Sequence, residues 1–427
     1  MKADLLVYGA GQLLTLASPN GPKRGADMRD LGILPDGAVA IRDGRVLAVG
    51  TSAELRRQVR ANHKLDAGGQ VVMPGLVDPH THLVWAGERA GEFERRVAGA
   101  SYMEIMAAGG GIMSTVRHTR AASMDDLVTQ TRPRLARMLA HGTTTVEIKT
   151  GYGLNTQDEL KQLAAIRRLQ AESLARLIPT FLGAHAIPAE YKDRADDYVD
   201  LVVEEMLPAV AEEVSGTPFP TDGRDSAGPP IFCDVFCEEG AFSVDQSRRV
   251  LEAAKALGFG LKIHVDEFRA LGGTRLAVEL GATSADHLVC TPSEEIDLLA
   301  RSNTLAVALP GTPFGLGHHE YTPARALIDA GGAVALATDC NPGTCWCENM
   351  QLMIALACRY MGMTPAEAIS AATINAAHAV GLGGEVGSLE PGKCADLILL
   401  AAPSYAHLAY RFGTNLMQTV IVDGHVF

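Results

Sequence analysis

Between about residues 70 and 340, short apolar runs alternate with longer stretches whose apolar residues recur every three or four positions. The short runs are rich in β-branched residues and read as buried strands. They fall at 71–83, 142–149, 176–185, 231–236, 260–265, 282–287, 304–309 and 333–338. Helical spacing fills the intervals, at 102–107, 125–140, 156–174, 191–214, 244–257, 273–280, 292–302 and 323–330. Ser123, followed by Asp125 and Asp126, supplies a helix-start signal for one of them. Eight such strand–helix alternations predict a parallel, TIM-like (β/α)8 barrel.

The two ends of the chain follow another rule. Leu5-Leu6-Val7-Tyr8, Ala38-Val39-Ala40-Ile41 and Val46-Leu47-Ala48-Val49 are short β runs broken by Gly, Asp and Pro. Asp43-Gly44 between two of them is the dipeptide that a type I′ hairpin turn requires. A short helix is expected over 51–62 and a longer one over 365–382. Beyond it the β runs return, in Ala395-Asp396-Leu397-Ile398-Leu399-Leu400 and Thr419-Val420-Ile421-Val422. The economical arrangement is a small β-sandwich built from residues 1–70 and 375–427, flanking a catalytic barrel of residues 71–374. Gly9-Ala10-Gly11 is not followed by a helix-bearing βαβ unit, so a nucleotide-binding reading is weak. Ser215–Pro230 is rich in Gly, Pro, Asp and Ser and reads as a surface insertion.

Charge narrows the partners. The net charge of −13 over 427 residues argues against nucleic acid or an anionic membrane. It also means that an anionic small-molecule substrate needs a local arginine. Met1-Lys2-Ala3-Asp4 runs straight into strand-like residues without the pattern of a secretory signal. No apolar run reaches the roughly 18 residues of a membrane span. The expected setting is the cytoplasm, with the eight scattered cysteines reduced. Cys345-Trp346-Cys347 and Cys233…Cys237 have no partner pair at a metal-type spacing and read as thiols.

In an α/β barrel, reactive groups stand where strands end at the C-terminal face. The first strand runs into His80-Thr81-His82, and side chains at i and i+2 share a face. The third ends at His185, the fifth at His264-Val265-Asp266-Glu267, the sixth at Asp286-His287 and the eighth at Asp339-Cys340-Asn341. A core prefers apolar groups at such positions. His80, His82, His264 and Asp339 can supply three imidazoles and a carboxylate, a set suited to Zn²⁺ or Fe with room for water. Glu267 is placed to steer or deprotonate that water. Asp339 can bridge the ion and the water proton. His287 can support a developing oxyanion or pass a proton to a departing nitrogen. His185 and His287 could equally be supports behind the ligands.

Pro74-Gly75-Leu76-Val77-Asp78-Pro79-His80-Thr81-His82 resembles the signature of the metal-dependent amidohydrolase superfamily. Gly387…Glu390-Pro391-Gly392-Lys393…Ala395-Asp396-Leu397 resembles that superfamily's closing strand. Further stretches narrow the resemblance to the branch that opens the ring of 4-imidazolone-5-propanoate in histidine degradation. They include Trp85-Ala86-Gly87-Glu88-Arg89, Gly109-Gly110-Gly111-Ile112 and Glu147-Ile148-Lys149-Thr150-Gly151-Tyr152-Gly153-Leu154. The others are Leu182-Gly183-Ala184-His185, His264-Val265-Asp266-Glu267 and Asp339-Cys340-Asn341-Pro342-Gly343-Thr344. The resemblance implies a cytoplasmic hydrolase of a cyclic amide, forming N-formimidoyl-L-glutamate, with one Zn²⁺ or Fe ion per subunit and a homodimeric assembly. It implies metal ligation by His80, His82, His264 and Asp339, and substrate binding by Arg89, Tyr152, His185, Asn341, Gly343 and Thr344. Glu267, His287 and Asp339 would serve the chemistry. A binuclear cyclic amidase would carry a carboxylated lysine on the fourth strand, where Cys233-Asp234-Val235-Phe236-Cys237 has none. A nucleobase deaminase would share the ligand set, and a non-catalytic scaffold would lack it.

Overall fold

A computed structural model describes residues 1–100, 104, 109–216 and 231–427. The expected helix at 102–107 lies outside the described residues except for Glu104, and so does the Ser215–Pro230 insertion from residue 217 onward.

Eight parallel strands form one sheet: β1 Leu76–Asp78, β2 Thr143–Lys149, β3 Arg176–Ala184, β4 Phe232–Cys237, β5 Gly260–Val265, β6 Ser284–His287, β7 Leu305–Ala308 and β8 Val334–Leu336. Each is hydrogen-bonded to the next in chain order. The ladder is open only between β8 and β1, and there the segments that follow the two strands close it. The backbone N–H and the hydroxyl of Thr338 donate to the two oxygens of Asp78 at 3.1 and 2.6 Å. Asp339 N–H donates to the His80 carbonyl at 3.1 Å, and His82 N–H to the Cys340 carbonyl at 3.0 Å. The barrel is thus shut at its C-terminal rim by the segments that carry the candidate ligands.

Helices flank the sheet, and their starts are written locally. Ser123, Ser243 and Thr364 each form a reciprocal capping box with the residue three positions on. The helix expected over 191–214 is Ala195–Leu201, a wider π turn at Val202–Met206, and Leu207–Gly216. The helix expected over 365–382 breaks into Pro365–Ala371 and Ile374–Ala379. Ala376, Ala377, Ala379 and Val380 join Val77, Val307 and Ala335 in one cluster, so the second piece belongs with the barrel strands. Among the described helices, none is long and apolar enough to cross a membrane.

Both chain ends build the second unit, from two stacked sheets. One holds Lys2–Ala10, Gly37–Arg42, Arg45–Thr51 and Arg60–Asp66; the other runs from His425–Val426 through Met417–Val422, Leu397–Leu400, Val71–Pro74 and Gln12–Leu14 to Ile33–Leu34. Arg42 pairs with Arg45 across Asp43 and Gly44, whose φ values of +52° and +71° are those of the expected hairpin turn. The expected helix at 51–62 stops at Gln58, and the chain continues as a strand.

One sequence expectation needs correction. Val71-Val72-Met73 reads as the start of the first barrel strand, yet it pairs with Leu397–Leu400 in the terminal sheet, and the barrel starts at Leu76. The apolar run misleads because this strand is buried on both faces. Val71 and Met73 join the core beside the barrel, whereas Val72 joins Leu5, Val39, Leu397 and Ile421 inside the sandwich. A strand covered on two sides loses its period-two signature.

The closing contact gives a testable consequence. Thr338→Val preserves shape but leaves one oxygen of the fully buried Asp78 without its hydroxyl donor. The expected loss is about 1–3 kcal/mol of unfolding free energy, read from the urea midpoint.

Candidate active site

His80 and His82 flank Thr81, which bridges to Cys340 across the seam. That extended geometry sends both rings to one side, with their Nε2 atoms 3.3 Å apart. His264, next to last on β5, brings its Nε2 to 3.4 Å from that of His82. Asp339 follows β8 at φ +55° and places Oδ1 3.6 and 3.5 Å from the Nε2 atoms of His80 and His82. Thr312 donates to its other oxygen. Four donors from three remote strand ends therefore converge in a buried site.

The set fits a metal ion. Donors around a tetrahedral ion with bonds of about 2.0–2.2 Å stand about 3.3–3.6 Å apart. Burial holds the imidazoles of His80 and His82 well below their usual pKa, so both are neutral. The Nδ1–H of His80 donates to Asp286 at 2.6 Å, which leaves the Nε2 lone pair facing the site. His264 Nδ1 stands 3.0 Å from Asp234. Burial lifts the Asp339 carboxyl to about 6.

Below the ligands lies a charged cluster. The Lys149 ammonium is fully buried and reaches Glu147 and Asp234 at 2.8 Å each and Asp286 at 3.8 Å. Burial opposes its charge, but the three carboxylates more than offset this and hold its pKa above the usual range. Burial opposes the charge of Asp234 too, and His264 and Lys149 together hold it ionised. The second carboxylate oxygen of Glu147 takes the backbone N–H of Thr81 at 3.2 Å. Lys262 donates to the carbonyl of Pro79 at 3.1 Å and so fixes the backbone just ahead of His80.

The other candidate residues surround this centre. His185 stacks on His82 at 4.8 Å and 14°, with Nδ1 3.0 Å from the Gly151 carbonyl, and burial pulls its pKa down to about 3. The Tyr152 ring lies 5.9 Å from His82 and 5.4 Å from His185, and burial raises its hydroxyl pKa, keeping it protonated. Its loop is folded around Glu159, whose carboxylate accepts from the N–H groups of Gly151, Gly153 and Leu154 at 3.0, 2.8 and 2.7 Å. His287 ends β6 at φ +80°, and its Nε2 stands 3.7 Å from Glu267. Burial, with Asp339 and Glu238 nearby, pushes the Glu267 carboxyl well up, whereas burial takes His287 well down.

Asn341 shapes a turn. Its Oδ1 accepts from Gly343 and Thr344 N–H at 2.8 Å each, and its amide donates to the Asp339 carbonyl at 2.7 Å and to the Thr344 hydroxyl at 2.9 Å. Arg89 lies across from this turn. It lines a cavity of about 460 Å³ together with Gly343, Thr344, Phe314 and Trp346.

Lys149, Glu147, Asp234, Asp286 and Glu159 carry no role in the sequence-based expectations, although the structure sets them behind the ligands and the Tyr152 loop. The available signal was a charged residue inside otherwise apolar strands, at Glu147 and Lys149 two apart on one face.

The sequence model of the amidohydrolase family matches residues 71–427, and that of the imidazolonepropionase-like composite domain of bacteria matches residues 37–58. The imidazolonepropionase of Herpetosiphon aurantiacus is 56% identical, with 99% of this chain and 97% of its own length covered. That of Chloroflexus aggregans is 53% identical, with 99% and 98% covered. A zinc-bound adenosine deaminase from Xanthomonas campestris has a similar fold, with TM-score 0.70 at 21% identity over 100% of this chain and 93% of that one. A 5-methylcytosine deaminase from Klebsiella pneumoniae has TM-score 0.72 at 18% identity, over 99% and 97%.

Lys149→Gln removes the cation that braces two ligand partners. Groups behind metal ligands commonly contribute 10–100-fold to affinity. Metal loss to a competing chelator, followed by metal analysis, is expected to become at least about tenfold more favourable.

Proposed function

We propose roles for the site residues on one premise: the chain belongs to the amidohydrolase family. It hydrolyses the cyclic amide C–N bond of 4-imidazolone-5-propanoate, yielding N-formimidoyl-L-glutamate. It uses a metal cofactor. In this reading His80, His82, His264 and Asp339 hold one Zn²⁺ or Fe ion. Such an ion lowers the pKa of a water and polarises the ring carbonyl.

The chain's own groups do the rest. Glu267 takes a proton from the attacking water as the new bond to the carbonyl carbon forms. It hands that proton to the ring nitrogen as the C–N bond breaks, so the water's remaining O–H becomes the hydroxyl of the new carboxylic acid, which then releases its proton to solvent. A carboxyl with a raised pKa suits this two-way transfer near neutral pH. His287, neutral and 3.7 Å from Glu267, donates to the carbonyl oxygen as charge develops there. Asp339 shares the water's proton at the start.

Substrate placement follows from charge and shape. A propionate approaching a chain of net charge −13 needs a dedicated cation, and Arg89 supplies it. The protonated Tyr152 hydroxyl is a donor, and His185 offers a neutral ring stacked behind His82. Gly343 and Thr344 meet the substrate through the turn. The Asn341 amide is already engaged, so we assign it to holding that turn rather than to direct contact. The cytoplasmic setting fits eight free thiols, and we extend the homodimer of the resemblance to this chain.

The observation that carries this reading is the grouping of His80, His82 and His264, with Asp339 3.6 and 3.5 Å from the first two and Glu267 and His287 beside it. The deciding assay follows loss of the imidazolone chromophore. Ammonia released from guanine or cytosine, with no imidazolone consumed, would overturn the reading. In that assay Arg89→Ala is expected to raise KM strongly, since charge-assisted pairing is lost, and an unchanged KM takes Arg89 out of the site. Glu267→Gln is expected to lower kcat by about 10²–10⁴, the usual reach of general acid–base catalysis. A near-normal kcat would transfer the proton role to Asp339.

A further inference from the structure

The arginine that faces the turn is itself held. Arg89 Nε donates to one oxygen of Glu92 at 2.9 Å, and Nη2 lies 2.8 Å from the same oxygen in an ion pair. The same oxygen accepts the backbone N–H of Gly111 at 3.1 Å. Glu92 stands in the first turn of the helix Ala90–Val97, and Gly111 is the N-cap of the helix Ile112–Ala121. Gly111 has φ +78° and ψ −168°, a backbone conformation open essentially to glycine alone. The side chains of Arg89 and Glu92 are only 16% and 18% exposed, so water screens the pair weakly.

A guanidinium has two edges able to grip a carboxylate, Nε with Nη2 and Nη1 with Nη2. Glu92 occupies the first. Gly343 packs against the Nη1 side of the same guanidinium: a Cβ built there would lie 2.3 Å from Nη1 and 3.0 Å from Cζ. Any larger residue at 343 would meet the guanidinium itself.

We propose that Glu92, tethered through Gly111, is a positioning and specificity-determining residue for the substrate's propionate carboxylate. It occupies the Nε side of Arg89 and so leaves the Nη1/Nη2 edge for that carboxylate, while Gly343, lacking a Cβ, leaves the guanidinium room to lie in that position. This rests on Arg89 being the carboxylate partner. Two consequences follow. A flexible arginine immobilised before substrate arrives moves its ordering cost out of the binding step. Glu92 offsets part of the Arg89 charge, so the two-point geometry of a planar carboxylate adds to charge in deciding what binds. The Gly109-Gly110-Gly111-Ile112 run, which the chemistry leaves without a role, gains one as the tether.

The test compares imidazolone propionate with its propanamide analogue, in which the carboxylate is replaced by a neutral amide. Glu92→Ala should raise KM for the acid by about tenfold and change kcat far less, because a preorganised partner is lost rather than a reacting group. The amide's kcat/KM should move by no more than about twofold, since it has no charge for Arg89 to grip. Glu92→Gln, which keeps an acceptor for the same edge, should recover part of the loss. Gly343→Ala should weaken the acid selectively. Parallel losses for acid and amide in the Glu92 variants, or no loss in either, would overturn the proposal. Arg89→Ala separates the two readings. If it alone collapses the acid-to-amide ratio, Arg89 keeps its role and Glu92 loses its own. If it leaves the ratio unchanged, the premise about Arg89 falls as well.

Discussion

One ammonium group sits at the centre of what this site can do. Lys149 lies fully buried among Glu147, Asp234 and Asp286. Each of those carboxylates then acts outward: Asp286 on His80, Asp234 on His264, and Glu147 on the backbone of Thr81 between His80 and His82. Three buried carboxylates without a cation would be costly to ionise, and neutral carboxyls would grip imidazole N–H groups poorly. The buried charge therefore reaches all three histidines, two through their rings and one through its backbone neighbour.

Rigidity at the strand ends complements this cluster. Asp266, His287, Leu288 and Asp339 all have positive φ without being glycine. Such conformations each cost of order 1–3 kcal/mol and persist where surrounding contacts impose them. Here the contacts are visible. The hydroxyls of Thr274 and Thr291 hold Asp266, Thr322 holds the His287 carbonyl, and Thr312 holds Asp339. At His287 and Asp339 the left-handed turn accompanies a side chain that faces the ligand cluster, His287 5.5 Å from the His80 ring and Asp339 3.6 Å from its Nε2. Closure of the β8–β1 seam through Asp78 and Thr338 then brings Asp339 beside the histidine pair.

The proposed substrate side is built by the same logic. Carboxylates organise backbone there: Glu159 gathers three N–H groups under Tyr152, and Glu92 joins a helix turn to Gly111 beneath Arg89. The Asn341 amide closes the turn that faces Arg89. Residues that look in sequence like partners for a ligand are in part partners for the loops that present one. This is why Asn341 reads plausibly as a binding group from its position, whereas its hydrogen-bonding capacity is taken up locally.

Strand and helix alternation, the capping boxes, the Asp43-Gly44 hairpin and the i, i+2 histidine pair are written in local sequence, because each depends on neighbours within a few residues. With barrel geometry assumed, the donors at His264 and Asp339 could also be read, since strand ends are where polar residues interrupt apolar runs. Tertiary structure alone decided the rest. Val71–Pro74 went to the terminal sheet because both of its faces found cover, which erased the alternation that would have placed it. The pairings of Lys149 with Asp286 and of Glu92 with Gly111 join segments 137 and 19 positions apart. A charged residue in the sequence does not state which distant group will neutralise it; only the packed barrel makes that choice.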